Sequence, residues 1–316
     1  VIVSKTAARP RPAVHAKPIV VIGSSNTDMI IRLDRIPRPG ETLLGGEFLT
    51  AAGGKGANQA VGRDGWGEDA VAGLKRDGIN VKWVFTDPTA ASGVALIFVA
   101  KGGENSIAVA GGANAKLSPA DVRHAAAAIS SAALLVAQLE TPLSTVRAAA
   151  ALAAKAGIPV ILNPAPAQPL PDTLLKFVSI LTPNETEAEV LTGIKVNDPA
   201  GAAKAAAYLR ARGVRTVIIT LGSRGAYLAD VHGEQVVPGF KVKAVDTTAA
   251  GDVFNGALAV ALAEGNRLPT AVRFANAAAA LSVTRRGAQP SAPTRADIER
   301  FLATATPTRS SIRRAR

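Results

Sequence analysis

Short runs of β-branched, uniformly apolar residues recur along this chain, and alanine-rich stretches of helical length separate the later ones. The runs cover 19–23, 134–139, 159–162, 179–182 and 216–221; the helical stretches cover 119–130, 143–156 and 199–212. A strand that is apolar throughout must be covered on both faces. Strand and helix in alternation therefore predict a parallel sheet between two helical layers. Two consecutive helices, 250–264 and 268–284, close the pattern. Residues 29–33 with 41–49, and 93–100 with 106–110, read instead as antiparallel pairs. Lys101-Gly102-Gly103-Glu104 is a hairpin tip. These pieces predict a small sheet standing off the main domain as a lid, with strands from about 28–49 and 92–110.

Composition removes several chemistries. The 316 residues include no cysteine and three histidines, His15, His124 and His232. Disulfides, thiolate metal sites and a Ser-His-Asp triad are therefore set aside. The net charge of +12 raises the question of nucleic acid. Residues 1–18 carry Lys5, Arg9, Arg11 and Lys17 with no acid, and residues 305–316 carry Arg309, Arg313, Arg314 and Arg316 with none. Only +4 remains for the 19–304 domain between these basic tails. With 4% aromatic residues there are few platforms for stacking bases, so no nucleic-acid partner is expected. Charges and glycines interrupt every apolar run, which excludes a membrane-spanning segment. The expectation is a cytoplasmic protein whose basic start is also compatible with organellar targeting.

Four stretches carry chemistry. In Val245-Asp246-Thr247-Thr248-Ala249-Ala250-Gly251-Asp252, small residues stand at a helix start. Successive N–H groups and the helix dipole there suit an oxyanion or a transferring phosphoryl group. A carboxylate in that first turn, Asp252, can take a hydroxyl proton as the phosphoryl group moves; it can equally be a plain helix cap. Around Ala51–Ala60, glycines allow close backbone approach, while Lys55 and Asn58 supply donors. This is not a Walker A loop: Leu49 stands where the first glycine is required, and Gly56 follows the lysine. Gly65-Trp66-Gly67-Glu68-Asp69-Ala70 follows no predicted strand and is discounted as a dinucleotide site. Asn26, Asp28 and Glu140 follow strands, where α/β sheets bind ligands, and suit a polyol. Asn184–Glu187 and Thr220–Gly225 offer a strand end for a nucleotide, with Glu187 able to hold hydrated Mg²⁺.

As a set, these residues resemble the ribokinase branch of the PfkB sugar-kinase family, over about residues 19–304. The matching motifs are Gly23–Asp28, Gly53–Ala60, Gln138–Pro142, Asp246–Asp252 and Val283–Ser291. The resemblance implies a three-layer α/β/α sandwich with a β-sheet lid, dimerising through the lid. It implies ATP-dependent phosphorylation of D-ribose at O5, the alternatives being another pentose, deoxyribose, a nucleoside, or binding without catalysis. By the same resemblance Asp252 is the base, and the amides of Ala249, Ala250, Gly251 and Asp252 form the anion hole. Asn26, Asp28, Gly53, Gly54, Lys55, Asn58 and Glu140 match ribose-binding positions. Asn184, Thr220, Gly222, Ser223, Gly225 and Asn276 match ATP-binding positions. Glu187 matches an acid linked to Mg²⁺. Asp246, Thr248, Ser282, Arg285, Gly287 and Ser291 match loops around an activating K⁺.

One departure stands out. After Gly53–Val61 the chain passes almost at once to Gly62-Arg63-Asp64-Gly65-Trp66-Gly67-Glu68, where the family has the rest of a helix and a core strand. A helix begun at Gly54 has little more than one turn available, and the next, about 68–77, starts with no strand between. Deleting a central strand leaves its neighbours without hydrogen-bond partners. Either residues are missing between intact motifs, which we favour, or the sheet is rearranged.

Overall fold

The computed structural model describes residues 17–55, 60–102 and 104–305. The two basic tails expected at 1–18 and 305–316 thus lie almost wholly outside the described residues.

The chain runs β1 (Ile19–Ile22), β2 (Asn26–Leu33), β3 (Glu47–Gly53), β4 (Ala60–Gly62), α1 (Gly65–Arg76), β5 (Phe85–Asp87), β6 (Gly93–Ala100) and β7 (Asn105–Ala110). Next come α2 (Pro119–His124), α3 (Ala126–Ser131), β8 (Leu134–Ala137), α4 (Leu143–Lys155), β9 (Val160–Leu162), α5 (Asp172–Leu175), β10 (Ile180–Leu181), α6 (Glu185–Thr192) and α7 (Pro199–Ala211). The chain continues with β11 (Thr216–Thr220), β12 (Gly225–Asp230), β13 (Gly233–Pro238), α8 (Ala250–Ala263), α9 (Leu268–Ser282) and α10 (Arg295–Thr304).

The main sheet has the order β1-β8-β9-β10-β11-β12-β13. It is parallel from β1 to β11 and antiparallel through β12 and β13. Successive side chains on a strand point to opposite faces, and two cores follow from that. Leu135, Leu162, Leu181, Val217 and Ile219 pack with α4, α6 and α7. Leu134, Val136, Ile161, Ile180 and Ile218 pack with α8, α9 and α10. This is the three-layer α/β/α arrangement that the doubly apolar runs require. Leu162, on a central strand, is fully buried. Leu162→Ala leaves a cavity that neighbouring strands cannot close; a loss of about 2–5 kcal/mol is expected in denaturant unfolding.

β3-β2-β6-β7 form the separate small sheet. β2 and β6 are parallel, and β3 and β7 flank them antiparallel. Two expectations shift here. The second strand of the first pair begins at Glu47, not 41, because the intervening 34–46 contains two prolines and three glycines and Glu41 is turned onto Arg35. β2 begins at Asn26, so Asn26 and Asp28 belong to the strand itself and not to a loop after β1.

On either side of the 54–65 junction the described strands fall into separate sheets. β1 ends the main sheet, while β4 pairs parallel with β5 in a two-stranded sheet of its own. The helix expected from Gly54 is not formed at either described end: Gly54 has φ +91, Lys55 is in a turn, and Ala60 is already strand. A strand therefore does precede Gly65–Ala70, correcting the reading that none does. The next helix starts at Gly65, earlier than expected, because the Asp64 carboxylate caps it by accepting the Gly67 N–H at 2.8 Å. The stretch 119–130 is divided into α2 and α3 at Ala125.

Candidate active site

The parallel strands deliver their C-terminal ends to one edge of the sheet, and the lid stands over that edge. Asn26 and Asp28 enter on β2, Gly53 closes β3 opposite Asn26, and Glu140 follows β8. Asp252 lies in the first turn of α8. Asn26, Asp28, Gly53, Gly54, Lys55, Glu140, Thr248, Ala249 and Asp252 line one cavity of about 120 Å³, and Ile97 and Val109 of the lid face it. Asn58 lies outside the described residues.

The polar groups of this cavity hold one another in place. Glu140 accepts from the Ser24 hydroxyl and, at 3.3 Å, from the Lys55 backbone N–H. Its other oxygen is 3.5 Å from Lys55 Nζ. Asn114, 1% exposed, donates from Nδ2 to Asn26 Oδ1 and to the Ser25 carbonyl, both at 2.9 Å, and accepts the Ser25 N–H. Glycine is obligatory at two walls. A Cβ on Gly53 would lie 2.0 Å from Asp28 Oδ1, and one on Gly93 would lie 2.2 Å from Asn26 Oδ1. Ser24 and Asn114 were not singled out from the sequence. Ser24 stood inside the Gly23–Asp28 motif; Asn114 carried no signal beyond an asparagine after two glycines.

Electrostatics mark the same residues. Burial raises the Asp28 carboxyl to about 6; Glu140 adds to the rise and Lys55 opposes it. Burial also pushes Asp252 up, against Lys55 and with Glu140. Lys55 is held above its ordinary value: burial works against its charge, but Asp252 and Glu140 outweigh that. One cation thus sits among three acids, and two of the acids are primed to hold or take a proton.

The α8 start is where the anion hole is expected. Ala249 has φ +60, the only positive φ outside glycine among the described residues. This left-handed cap turns the chain sharply into the helix. The Ala250 N–H is directed at the Thr247 carbonyl, 3.3 Å away, and the Val253 N–H at that of Ala249. The N–H groups of Gly251 and Asp252 have no acceptor among the described residues, so of the four amides expected in the hole these two point to an external anion.

The nucleotide positions lie along the next strand ends. Asn184 bridges Thr220, and the Thr220 N–H donates to the Pro183 carbonyl at 2.9 Å. Gly222 and Ser223 form a short turn, and Gly225 has φ +100. Asn276 is 7% exposed and donates to the Val237 and Pro238 carbonyls at 3.1 and 3.2 Å. Its amide nitrogen is committed to pinning β13, which leaves its carbonyl oxygen for any nucleotide. Asn184 and Glu187 form a capping box on α6. One Glu187 oxygen accepts the Asn184 N–H at 2.8 Å; the other has no hydrogen bond among the described residues. Burial raises the Glu187 carboxyl, and Lys55 and Asp252 both act on it, which ties it electrically to the sugar side. No group of three or more acids, histidines or cysteines arranged to hold a metal ion is present among the described residues. The donor set fits Mg²⁺, which keeps its waters and binds through one or two carboxylates plus phosphates.

Asp246 joins the two loops expected around K⁺. Its oxygens accept the Thr248 and Gly287 N–H groups, both at 2.9 Å. Burial would raise this carboxyl, but those hydrogen bonds hold it below the ordinary range. The Val283 carbonyl accepts from Val245 and Asp246. The hydroxyls of Ser282 and Ser291, both fully buried, donate to the Ala279 and Ala288 carbonyls, and Arg285 pairs with Asp297 at 3.3 Å. One carboxylate, Asp246, thus ties Thr248 and Gly287 together.

Comparison with known proteins agrees with this geometry. The profile of the pfkB family of carbohydrate kinases matches residues 60–295. A ribokinase from Haemophilus influenzae is 46% identical over 301 residues, spanning 90% of this chain and 98% of that protein. A deoxyribokinase from Salmonella typhi is 39% identical over 299 residues, spanning 90% and 97%. The solved structure of Arabidopsis thaliana ribokinase complexed with ribose and ATP superposes with a TM-score of 0.81 at 34% identity, covering 91% of this chain and 99% of that one. In sequence, in fold and in the grouping of its polar residues, this chain belongs to the pfkB family of carbohydrate kinases.

Proposed function

We propose that the chain transfers the γ-phosphoryl group of ATP to O5 of D-ribose, giving ribose 5-phosphate and ADP. The observation that carries this reading is Asp252 beside two unpaired α8 amides, facing the cavity that holds Asn26, Asp28, Lys55 and Glu140. The similarity to ribokinases, one of them solved with ribose and ATP, supports it. In the reaction O5 forms a bond to the γ-phosphorus as the bond to the ADP oxygen breaks. The O5 proton passes to Asp252, whose raised affinity for protons suits a base. The Gly251 and Asp252 amides bind the equatorial oxygens, and Lys55 compensates the carboxylates around the sugar. Asn26, Asp28, Gly53, Gly54, Asn58 and Glu140 bind the sugar. Asn184, Thr220, Gly222, Ser223, Gly225 and Asn276 bind ATP. Mg²⁺, held through water by Glu187, neutralises phosphate charge when bound. The Asp246–Thr248 and Ser282–Ser291 loops would hold K⁺, whose charge would steady the anion-hole turn. Two copies pair through the outer lid face, where Met29, Ile31, Phe48, Leu96 and Phe98 alternate outward and Phe48 and Leu96 are exposed.

Coupled ADP release with ribose, Mg²⁺ and ATP tests the reading. Ribose-dependent turnover that rises with K⁺ is expected; folded protein with no ribose-dependent release would overturn it. The similarity to a deoxyribokinase makes 2-deoxyribose the comparison substrate, and a lower kcat/KM than for ribose is expected.

The Asp28 titration gives a second check. Its folded value, about 6, lies above the 3.8 of the free carboxyl, so the folded state binds more protons between those values. Stability therefore falls as pH rises from about 4 to 6, and the cost of the buried charge is fully present above 6. Sugar binding runs the other way, because the ionised form is the stronger acceptor. Ribose KM is expected to fall as pH rises through about 6 at saturating ATP. Asp28→Asn should remove that inflection, and an inflection that survived would assign it elsewhere.

A further inference from the structure

Behind the sugar cavity lies a second one of about 280 Å³, and the two meet at Lys55 and Asp252. It lies against β1, the terminal strand of the main sheet. Its walls come from β1, from residues 79–85, from α2 and α3, and from α8. Ile22, Trp83, Phe85, Leu117, Ile129 and Val260 make it apolar and partly aromatic. A dry cavity of about 150 Å³ accepts a benzene ring, so this one has room for two fused rings.

One buried polar atom of this lining stands without a partner. Gln138 is 3% exposed, lines this cavity, and its Oε1 has no hydrogen-bond partner. The other amides here have partners: Asn80 Oδ1 accepts the Lys82 N–H at 2.9 Å, Asn255 Oδ1 accepts the Thr182 hydroxyl at 2.7 Å, and Asn255 Nδ2 donates to the Gly251 carbonyl at 2.8 Å. The charged groups of the lining are answered within the chain: Lys55 faces Asp252, and Asp121 accepts from the Ser118 N–H and hydroxyl at 2.8 and 2.7 Å. A buried acceptor without a donor is costly, and a ligand that supplies the donor removes that cost.

We propose that this second cavity binds a small, neutral, fused-ring compound bearing one N–H donor, its rings among Trp83, Phe85 and Ile129 and its N–H on Gln138. The sugar site does not require this pocket, and the proposal does not depend on the reaction assigned above.

Isothermal titration of the whole protein with indole and with benzofuran, its oxygen isostere, tests the site. Indole should bind one to one and about ten-fold more tightly than benzofuran, the worth of one such hydrogen bond. Gln138→Leu should erase that preference. Ala128→Phe, which fills the cavity from α3 away from the sugar side, should abolish indole binding and leave ribose-dependent ADP release within about two-fold of wild type. No indole binding up to its solubility, equal affinity for the two probes, or undiminished indole binding by Ala128→Phe would each overturn the proposal. Absence of kinase activity in any of these proteins would bear on the proposed function alone, since the titration reads binding directly.

Discussion

Asp252→Asn is expected to lower the turnover of ribose phosphorylation by about 10²–10⁴-fold, the usual cost of a lost general base. The substitution keeps shape and volume, so the Gly251 and Asp252 amides stay aimed at the same point. The proton of O5 then has no acceptor of comparable strength, because Asp28 and Glu140 are committed to the sugar wall and to Lys55. The loss should fall on kcat with KM for ATP little changed, the signature of an interaction made only in the transition state. Stability should move in the opposite direction. Burial raises the Asp252 carboxyl above its free value, so its ionised form destabilises the fold at neutral pH, and this cost grows as pH rises above the free value. An uncharged amide lacks that cost, and Asp252→Asn should melt at a higher temperature than wild type at pH 7.5. Coupled ADP release and a thermal melt on one preparation check both. Turnover within a few-fold of wild type would remove Asp252 from the chemistry.

The layered fold was legible because its cause is local. Runs such as Thr216–Leu221 are apolar on both faces, and only a covered sheet buries both. The strands came out shorter than the runs, since Leu139 and Leu221 are buried by packing and not by pairing. The lid pairs were legible from alternation, but the first residue of β2 was not. Asn26 and Asp28 look like loop polarity in sequence; they are strand residues because Gly53 and Gly93 leave space beside them. Asn114 escaped notice for a related reason. Its task is to satisfy the backbone of Ser25 from 89 residues away, and no local pattern records such a partner. The junction after Val61 showed that an expected strand did not follow, but not how the described strands beside it pair. That depended on a three-residue pairing of β4 with β5, too short to leave a periodic signal. Asn276 was assigned to the nucleotide from resemblance, while its buried donor contacts with β13 come from tertiary packing alone.

Gly54→Ala should raise the ribose KM by about 10–100-fold while leaving the ATP KM within about two-fold, the size of one or two lost charge-assisted hydrogen bonds. Gly54 has φ +91, where an alanine is strained by about 1–2 kcal/mol. Strain alone would not select the sugar. Gly157 provides the comparison: its φ is +72 and a Cβ there meets nothing within 4 Å. Gly157→Ala should therefore cost stability of about 1 kcal/mol and leave both KM values alone. At Gly54 a Cβ would stand 2.6 Å from the Ser24 carbonyl oxygen and 2.7 Å from the Asn26 nitrogen. Backbone atoms cannot rotate away, so the Ser24–Asn26 segment or the 53–55 turn must shift. Either movement pulls on Glu140, which takes hydrogen bonds from Ser24 and from the Lys55 N–H, and on Asn26, which Asn114 holds from the far side. The proposed nucleotide residues Asn184, Thr220, Gly225 and Asn276 show no hydrogen bond with this segment among the described residues. Steady-state kinetics of the two alanine variants, with each substrate varied in turn, separates the effects. Equal changes in both KM values for Gly54→Ala would mean that the turn supports the fold as a whole and not the sugar site in particular.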